Sequence, residues 1–233
     1  MKRFFILTAL FACAITASAQ LNVQFHYDMG SAIYSDNLSE RPQWTATIEN
    51  FTPDKWGSTY FFIDANFASN TVPSVYGEIS RELRFWKAPV AVHLEYNGGT
   101  GLKNAFLAGA AYNWANSNFS KTFSVQALYR YDVKAPSPHN WQLTAVWGVH
   151  FAKGLCTFSG YADLWHDNAV NGSLVLSSEP QFWFNFAPLS WVDDDCKLSV
   201  GAEVEICNNL VWPSDGINNR FYVIPTLAAK WTF

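Results

Sequence analysis

The chain has few charged residues. They make up 15% of its 233 positions, and the formal net charge is −4. Typical soluble domains carry about 25% charged residues. A soluble β-sandwich of this size would need more charge on its outer faces, so the composition disfavours that class. The mildly acidic balance also argues against nucleic acid as a partner.

Cysteine is scarce as well. Of the four cysteines, Cys13 lies in the N-terminal export signal described below, and Cys156, Cys196 and Cys207 remain in the mature chain. An odd number cannot be fully paired within one chain, and the spacing matches no zinc or redox motif. One disulfide between two of these three cysteines is compatible with the sequence, which does not indicate the two partners. No phosphate-binding loop or other cofactor motif occurs, so the sequence predicts no metal and no cofactor.

Long apolar runs are missing after the first residues. Met1–Ala19 has a charged start, an apolar run over Phe4–Ile15 and a small-residue cleavage site at Ala17–Ala19. This pattern is typical of a cleaved secretory signal peptide, and the apolar run is too short to span a bilayer. We therefore predict a signal peptide over residues 1–19 and a mature domain over 20–233. Because no later stretch resembles a transmembrane helix, the exported chain is either soluble or crosses a membrane as strands.

Aromatic residues are plentiful, at 17% of the chain with 11 tryptophans. The last segment, Phe221–Phe233, shows how they are arranged, since alternate positions form one almost wholly apolar set and one mixed set. A period of two with an aromatic end is typical of a membrane strand. Trp231 and Phe233 at its end match the assembly signal of bacterial outer-membrane barrels, which implies recognition by the barrel-assembly machinery.

The same alternation recurs along the mature chain and predicts an all-β fold. We expect an antiparallel transmembrane β-barrel of about 12 strands in the bacterial outer membrane, with ten or fourteen strands as alternatives. Long polar connections alternate with short ones, as external loops and periplasmic turns do in such barrels. The predicted strands are Leu21–Asp28, Gln43–Phe51, Ser58–Phe67, Val75–Trp86, Pro89–Asn97, Asn104–Trp114, Lys121–Asp132, Trp141–Phe151, Leu155–Trp165, Leu174–Phe186, Lys197–Cys207 and Phe221–Phe233.

In this register the ionisable side chains fall on the inner face, since Arg or Lys near the lipid midplane costs roughly 2–4 kcal/mol. Arg81 is the exception, on the outer face of its strand. Rings share the inner face with the charges, a combination suited to a solute with a flat face and hydroxyl groups. The predicted pore-lining residues are Asp64, Glu78, Glu95, Arg130, Asp163, Glu179, Phe62, Tyr161 and Trp165.

Three segments carry a family resemblance: Gly160–Asp163, Ser178–Phe182 and Ala229–Phe233. With them the chain resembles the nucleoside-specific channel-forming (Tsx-like) outer-membrane proteins, and also an uncharacterised group of similar barrels from Bacteroides-like bacteria. The resemblance implies the fold, the outer membrane and the passage of a small solute, with nucleosides as the best guess. Its external loops are shorter than those of the nucleoside channels, which leaves the solute open.

We weigh three functions, the first being a passive channel that exists as a monomer in outer-membrane lipid. The second is a plugged structural or adhesion barrel, which would require Arg84, Arg130 and Lys230 to pair with the acids and block the bore. The third is a lipid-modifying enzyme built around His150 and Ser159 or around His166, but no nucleophile motif supports it. The sequence therefore predicts a channel without catalytic residues.

Overall fold

The computed structural model describes residues 20–68, 71–100, 104–167, 173–193, 195–210 and 220–233. The predicted signal peptide lies outside the described residues. Within these ranges, no helix has both the length and the apolar character needed to cross a membrane. The helices are short: α1 (Gly30–Ile33), α2 (Ser35–Leu38) and a 3-10 turn at Ala152–Gly154.

The chain forms one closed antiparallel β-barrel of twelve strands, as predicted. Each strand pairs with the next, and the last pairs with the first, so that the sheet has no free edge. The strands are β1 (Gln20–Asp28), β2 (Trp44–Asp54), β3 (Gly57–Ala68), β4 (Thr71–Leu83), β5 (Val90–Gly99), β6 (Ala105–Ala115), β7 (Lys121–Asp132), β8 (His139–Phe151), β9 (Cys156–His166), β10 (two segments, Leu174–Ser178 and Gln181–Asn185), β11 (Leu198–Asn208) and β12 (Phe221–Thr232).

The two faces of the barrel differ as the alternation predicts. On β12, Leu227 is 56% exposed on the outside, whereas Ile224 and Tyr222 point inward and are buried. On β1, Phe25 faces outward and its neighbours Gln24 and His26 are buried inside. An outer face of apolar side chains and an inner face of polar ones is the arrangement that a lipid surround and a wet lumen require.

Arg81 keeps its place on the outer face because it is neutralised there. Its guanidinium Nη1 lies 2.6 Å from Oδ2 of Asp54 and 3.0 Å from Oγ1 of Thr59. Asp54 closes the β2–β3 hairpin, so the ion pair sits near the end of the barrel rather than at its midplane. A long side chain near a strand end reaches the interface with its charged group, which removes the cost of a charge in hydrocarbon.

The connections follow the predicted alternation only in part. The predicted loop Ala68–Ser74 is too long, because β3 continues to Ala68 and β4 already begins at Thr71. Valines flank Pro73 and keep this stretch extended, since β-branched residues favour strands. At the opposite end, the sequence already indicates that Ala187–Cys196 is longer than the other short turns, and the strands on either side end at Asn185 and begin at Leu198. By the usual orientation of such barrels, the end with the β1–β2 loop faces outward and the end with Asp54 faces the periplasm.

Strand β10 runs through a proline without losing its register. Its two segments align with β9 and β11 in one continuous register on either side of Glu179 and Pro180. Glu179 N–H still donates to Tyr161 O at 3.1 Å, and Pro180 O accepts from Val204 N–H at 3.0 Å. Pro180 lacks an N–H, which interrupts the ladder at one point only. The predicted single strand Leu174–Phe186 is therefore correct in its course.

Gly160 on β9 is the residue that accommodates Pro180. It has a φ of +153°, and a Cβ at this position would lie 2.5 Å from Glu179 O and 2.9 Å from Pro180 Cα. Both obstacles are backbone atoms and cannot rotate away. Two of the segments that carried the family resemblance, Gly160–Asp163 and Ser178–Phe182, thus meet on neighbouring strands.

We predict that Gly160→Ala destabilises the barrel by about 1–3 kcal/mol, because the new Cβ combines a clash with a rarely adopted φ. The measurement is the urea midpoint of the folded, heat-modifiable band in lipid vesicles. Gly148→Ala is the control, since the only close atom there is the mobile Oγ1 of Thr122. Equal midpoints for Gly160→Ala and the wild type would contradict this role.

Candidate functional site: the barrel lumen

All nine residues predicted to line a pore lie on the inner face of the barrel. Phe62 contacts Tyr76 with ring centroids 5.8 Å apart, and Arg130 lies 5.1 Å from the centroid of the Trp165 ring. The hydroxyl groups of Tyr161 and Ser177 are 3.2 Å apart. Their shared placement follows from the period of the strands, whereas their role toward a solute stays a prediction.

Carboxylates form a belt around the middle of the lumen. We call six of them the acidic belt: Asp64, Glu78, Glu95, Asp163, Glu179 and Glu203. Each projects from near the middle of its strand, on β3 to β5 or on β9 to β11. In a ring of twelve strands these two groups of strands face each other. The belt therefore consists of two acidic walls opposed across the bore.

The two walls are close enough to influence each other. Glu78 interacts electrostatically with Asp163 on the opposite wall, and Glu179 does so with Asp64. Coulomb interactions of this kind fall off with distance and with water between the charges. The two acidic walls therefore act on one shared space in the middle of the lumen.

Neutral donors hold several of these carboxylates against the wall. Asp64 accepts a hydrogen bond of 2.5 Å from Thr47 Oγ1, and Glu203 accepts one of 2.6 Å from Gln181 Nε2. The hydroxyl of Tyr76 donates to Glu78. A neutral donor orients a carboxylate without supplying a counter-charge, so these contacts fix the side chains of the belt in place.

The cationic side chains are held against the lumen wall by neighbouring groups. Arg130 Nε donates to Asp132 Oδ1 at 2.9 Å and Nη1 donates to Gln142 Oε1 at 2.8 Å, toward the external end. Lys230 Nζ lies 4.0 Å above the centroid of the Trp183 ring. Arg84 follows the end of β4 and is exposed at the periplasmic end. None of the three takes the place between the acidic walls that a plug of paired charges would require.

Two histidines bridge polar groups of the same face. His93 Nε2 is 3.0 Å from Glu95 Oε2, and its Nδ1 is 3.6 Å from Glu82 Oε1. His26 lies within 3.2 Å of Thr226 Oγ1 and 3.0 Å of Gln24 Oε1. The hydrogen bonds of His26 and the contact of His93 Nε2 with Glu95 hold both rings against the wall.

The β1–β2 loop, residues 29–43, folds into the external mouth. Leu38 at the end of α2 is fully buried against the inward-facing residues Cys207, Tyr222 and Ile224. The ring of Tyr34 contacts Tyr222 with centroids 5.0 Å apart. This apolar contact anchors the loop to β11 and β12 and covers part of the opening above the acidic belt.

Arg41 fastens the same loop electrostatically. Its Nε lies 2.9 Å from Asp28 Oδ2 and its Nη2 lies 2.5 Å from Glu205 Oε2. Burial opposes the charge of Arg41, but the carboxylates of Glu205 and Asp28 outweigh this effect and hold the pKa of the guanidinium above its usual range. One cation thus joins the loop to the first and eleventh strands.

Part of the lumen wall is open to solvent in the periplasmic half. Val146 faces inward on β8, opposite Ser124 and Tyr161, and yet it is 37% exposed. His150, further toward the periplasmic end, is exposed as well. Water therefore reaches into the barrel from this side, whereas the β1–β2 loop restricts the external side.

The loop is the part of the site that the sequence analysis missed. Residues 29–43 are mostly polar and carry turn-forming residues, which predicts an exposed external loop. Leu38 is one of a few apolar residues in this segment, and the sequence does not distinguish it from Ile33, which is exposed, because scattered apolar residues are common on surfaces. The three cysteines are free, and Cys207 packs beneath this loop.

Trp231 and Phe233 are exposed on the outer face, and their assembly role stays a prediction.

Comparison with known proteins places the chain in a family. Residues 19–233 match the model of DUF5020, described as a domain of unknown function, so the chain belongs to that family. No curated protein matches the sequence.

Two solved porins have a similar fold. The NanC porin is 11% identical with a TM-score of 0.58, over 91% of this chain and 100% of that one. The KdgM porin in complex with disordered oligogalacturonate is 9% identical with a TM-score of 0.51, over 92% and 99%. The protein is thus a porin-like β-barrel of the bacterial outer membrane, which confirms the predicted fold and location.

We predict that Arg41→Gln loosens the β1–β2 loop, because it leaves Asp28 and Glu205 facing each other without a cation. Limited proteolysis of the protein in vesicles should cut within residues 29–43 several times faster than in the wild type. Lys134→Gln serves as the control, since it removes an exposed cation from another external loop. An unchanged cleavage rate would show that the apolar anchor at Leu38 holds the loop alone.

Proposed function

We propose that this barrel is a passive channel for small polar solutes, with nucleosides as the first class to test. The observation that carries the proposal is the inner face, on which charged and hydrogen-bonding side chains outnumber apolar ones such as Leu107, Leu128 and Trp183. An interior meant only to fill space would bury apolar side chains instead, as small barrels with packed cores do. We also propose that the protein inserts into outer-membrane lipid as a monomer.

The dimensions favour a selective passage over a wide diffusion pore. The β1–β2 loop folds inward at the external mouth and restricts the cross-section there. The KdgM porin, which has a similar fold, is known in complex with oligogalacturonate. A barrel of this architecture is therefore compatible with the passage of an extended polar solute.

Nucleosides remain a candidate because of the rings on the two walls. Tyr60, Phe62 and Tyr76 form one cluster of ring contacts on β3 and β4, and Tyr161 and Trp165 lie on β9. Flat rings offer stacking surfaces to a base, and carboxylates accept hydrogen bonds from ribose hydroxyls. The family resemblance points to the same class of solute.

The plugged barrel is the second candidate, favoured by one observation. The β1–β2 loop is anchored both by Leu38 and by Arg41, and a loop held in this way could seal the external mouth. The enzyme has less support. His150 Nδ1 is 2.9 Å from Thr157 Oγ1 rather than beside Ser159, and His166 Nδ1 is 2.9 Å from Asn140 Oδ1.

We expect the refolded protein to give a small, steady single-channel current in a planar bilayer, and adenosine or thymidine to reduce it. The reason is that a solute bound between the walls obstructs the ions that share its path. Ribose alone is the matched control, because it lacks the flat base. A heat-modifiable, folded barrel that gives no current would instead support the plugged barrel.

We predict that Arg130→Ala changes the ion selectivity of the current toward cations, since it removes a positive charge from the lumen wall. Reversal potentials in a potassium chloride gradient measure this shift. Arg130→Lys is the conservative variant and should remain close to the wild type. An unchanged current and an unchanged reversal potential in Arg130→Ala would exclude Arg130 from the solute pathway.

A further inference from the structure

The described lumen contains more carboxylates than cationic side chains. Besides the six residues of the acidic belt, Glu49 and Glu82 face the same space and accept hydrogen bonds from neutral amides. Asn22 donates to Glu49 at 3.2 Å and Asn113 donates to Glu82 at 2.6 Å. The cationic side chains in the described lumen are fewer: Arg41 and Arg130 pair with carboxylates outside the belt, Lys230 lies over Trp183, and His93 adjoins Glu95 and Glu82. Carboxylates at the middle of the bore therefore outnumber the cationic groups beside them.

Two acceptor oxygens at the level of the belt, Gln126 Oε1 and Asp163 Oδ1, accept no hydrogen bond from the described residues. Gln126 is 7% exposed and pairs in register with Thr144, which in turn pairs with Asp163 on the next strand. Among the residues that the structure describes, none donates a hydrogen bond to Gln126 Oε1 or to Asp163 Oδ1. Buried acceptors are nearly always satisfied, so two unsatisfied ones at the same level of β7 and β9 indicate room for a donor that the chain itself does not supply.

Aromatic rings flank the same acidic walls. Tyr60, Phe62 and Tyr76 adjoin Asp64 and Glu78 on one side, and the rings on β9 adjoin Asp163 and Glu179 on the other. The face of an aromatic ring attracts a cation, and the attraction is larger where water is restricted. Lys230 over Trp183 is an example of this contact within the same lumen.

We propose that the channel selects small organic cations, with an ammonium or guanidinium group held between the acidic walls and an apolar or flat portion against the rings. The inference rests on the proposed channel function and names its substrate class. Rings of carboxylates are a common source of cation selectivity in channels. A positively charged donor supplies the hydrogen bonds that Gln126 and Asp163 lack, which a neutral solute does less well and an anion cannot do.

The first test is the reversal potential of the wild-type channel in a potassium chloride gradient. We expect potassium to permeate several-fold better than chloride. The double variant Glu78→Gln and Asp163→Asn, which keeps the size of both side chains, should reduce this ratio several-fold. Glu40→Gln is the matched control, because it removes an exposed carboxylate from the β1–β2 loop outside the lumen and should leave the ratio unchanged.

The second test uses three probes of similar shape and different charge: phenethylammonium, 2-phenylethanol and phenylacetate. We expect phenethylammonium alone to reduce the single-channel current at low concentration, and Gln126→Leu to weaken its effect several-fold. The variant keeps the bulk of the side chain and removes its acceptor. Heat-modifiable migration of the variant in electrophoresis would establish that the barrel has folded, so a weaker block reports binding.

The outcomes separate this inference from the channel function. A current without cation preference, or block by adenosine but not by phenethylammonium, would overturn the cation inference and leave the channel in place. A folded barrel without any current would overturn both. Cation preference that survives in the double variant Glu78→Gln and Asp163→Asn would also overturn the inference, because it would place the selectivity outside the belt.

Discussion

Closure of the sheet is the constraint on which the rest of the structure depends. A strand in lipid cannot leave its N–H and C=O groups unpaired, because hydrocarbon offers no partner for them. The pairing of β1 with β12 removes the last free edge. Once the sheet is closed, every side chain faces either lipid or lumen, so polar residues at alternate positions have only the interior to occupy. The acidic belt is a consequence of that sorting.

The sorting also explains why so much of the fold could be predicted from the sequence. In β7, the predicted strand Lys121–Asp132 agrees residue for residue, because Phe123, Val125 and Tyr129 alternate with polar neighbours. The same alternation also predicted that Arg81 lies on the outer, lipid-facing side of its strand. Its partner Asp54 was not, since Asp54 lies on another strand beyond a turn, and cross-strand pairs depend on register rather than on the period.

What could not be predicted depends on contacts between distant segments. Leu38 finds Cys207, Tyr222 and Ile224 only after the barrel closes, which brings β1 beside β12. Arg41 reaches Glu205 for the same reason. The periodicity placed the charges inside but gave no information about which of them pair. Whether the lumen is neutral or negative depends on that pairing, so the sequence alone left the plugged barrel and the channel in competition.

The position of the cations relative to the carboxylates distinguishes this lumen from a barrel interior that is only filled with paired polar groups. If Arg130 projected between the acidic walls, it would neutralise them and close the bore, as in a structural barrel. Asp132, Gln142 and Trp165 together hold it against the wall instead. Burying carboxylates without permanent counter-charges costs free energy, and nothing in the packing of the wall requires six of them at one level. A passing cation gives that arrangement a use, because it supplies the missing charge only while it is bound and leaves the path free afterwards.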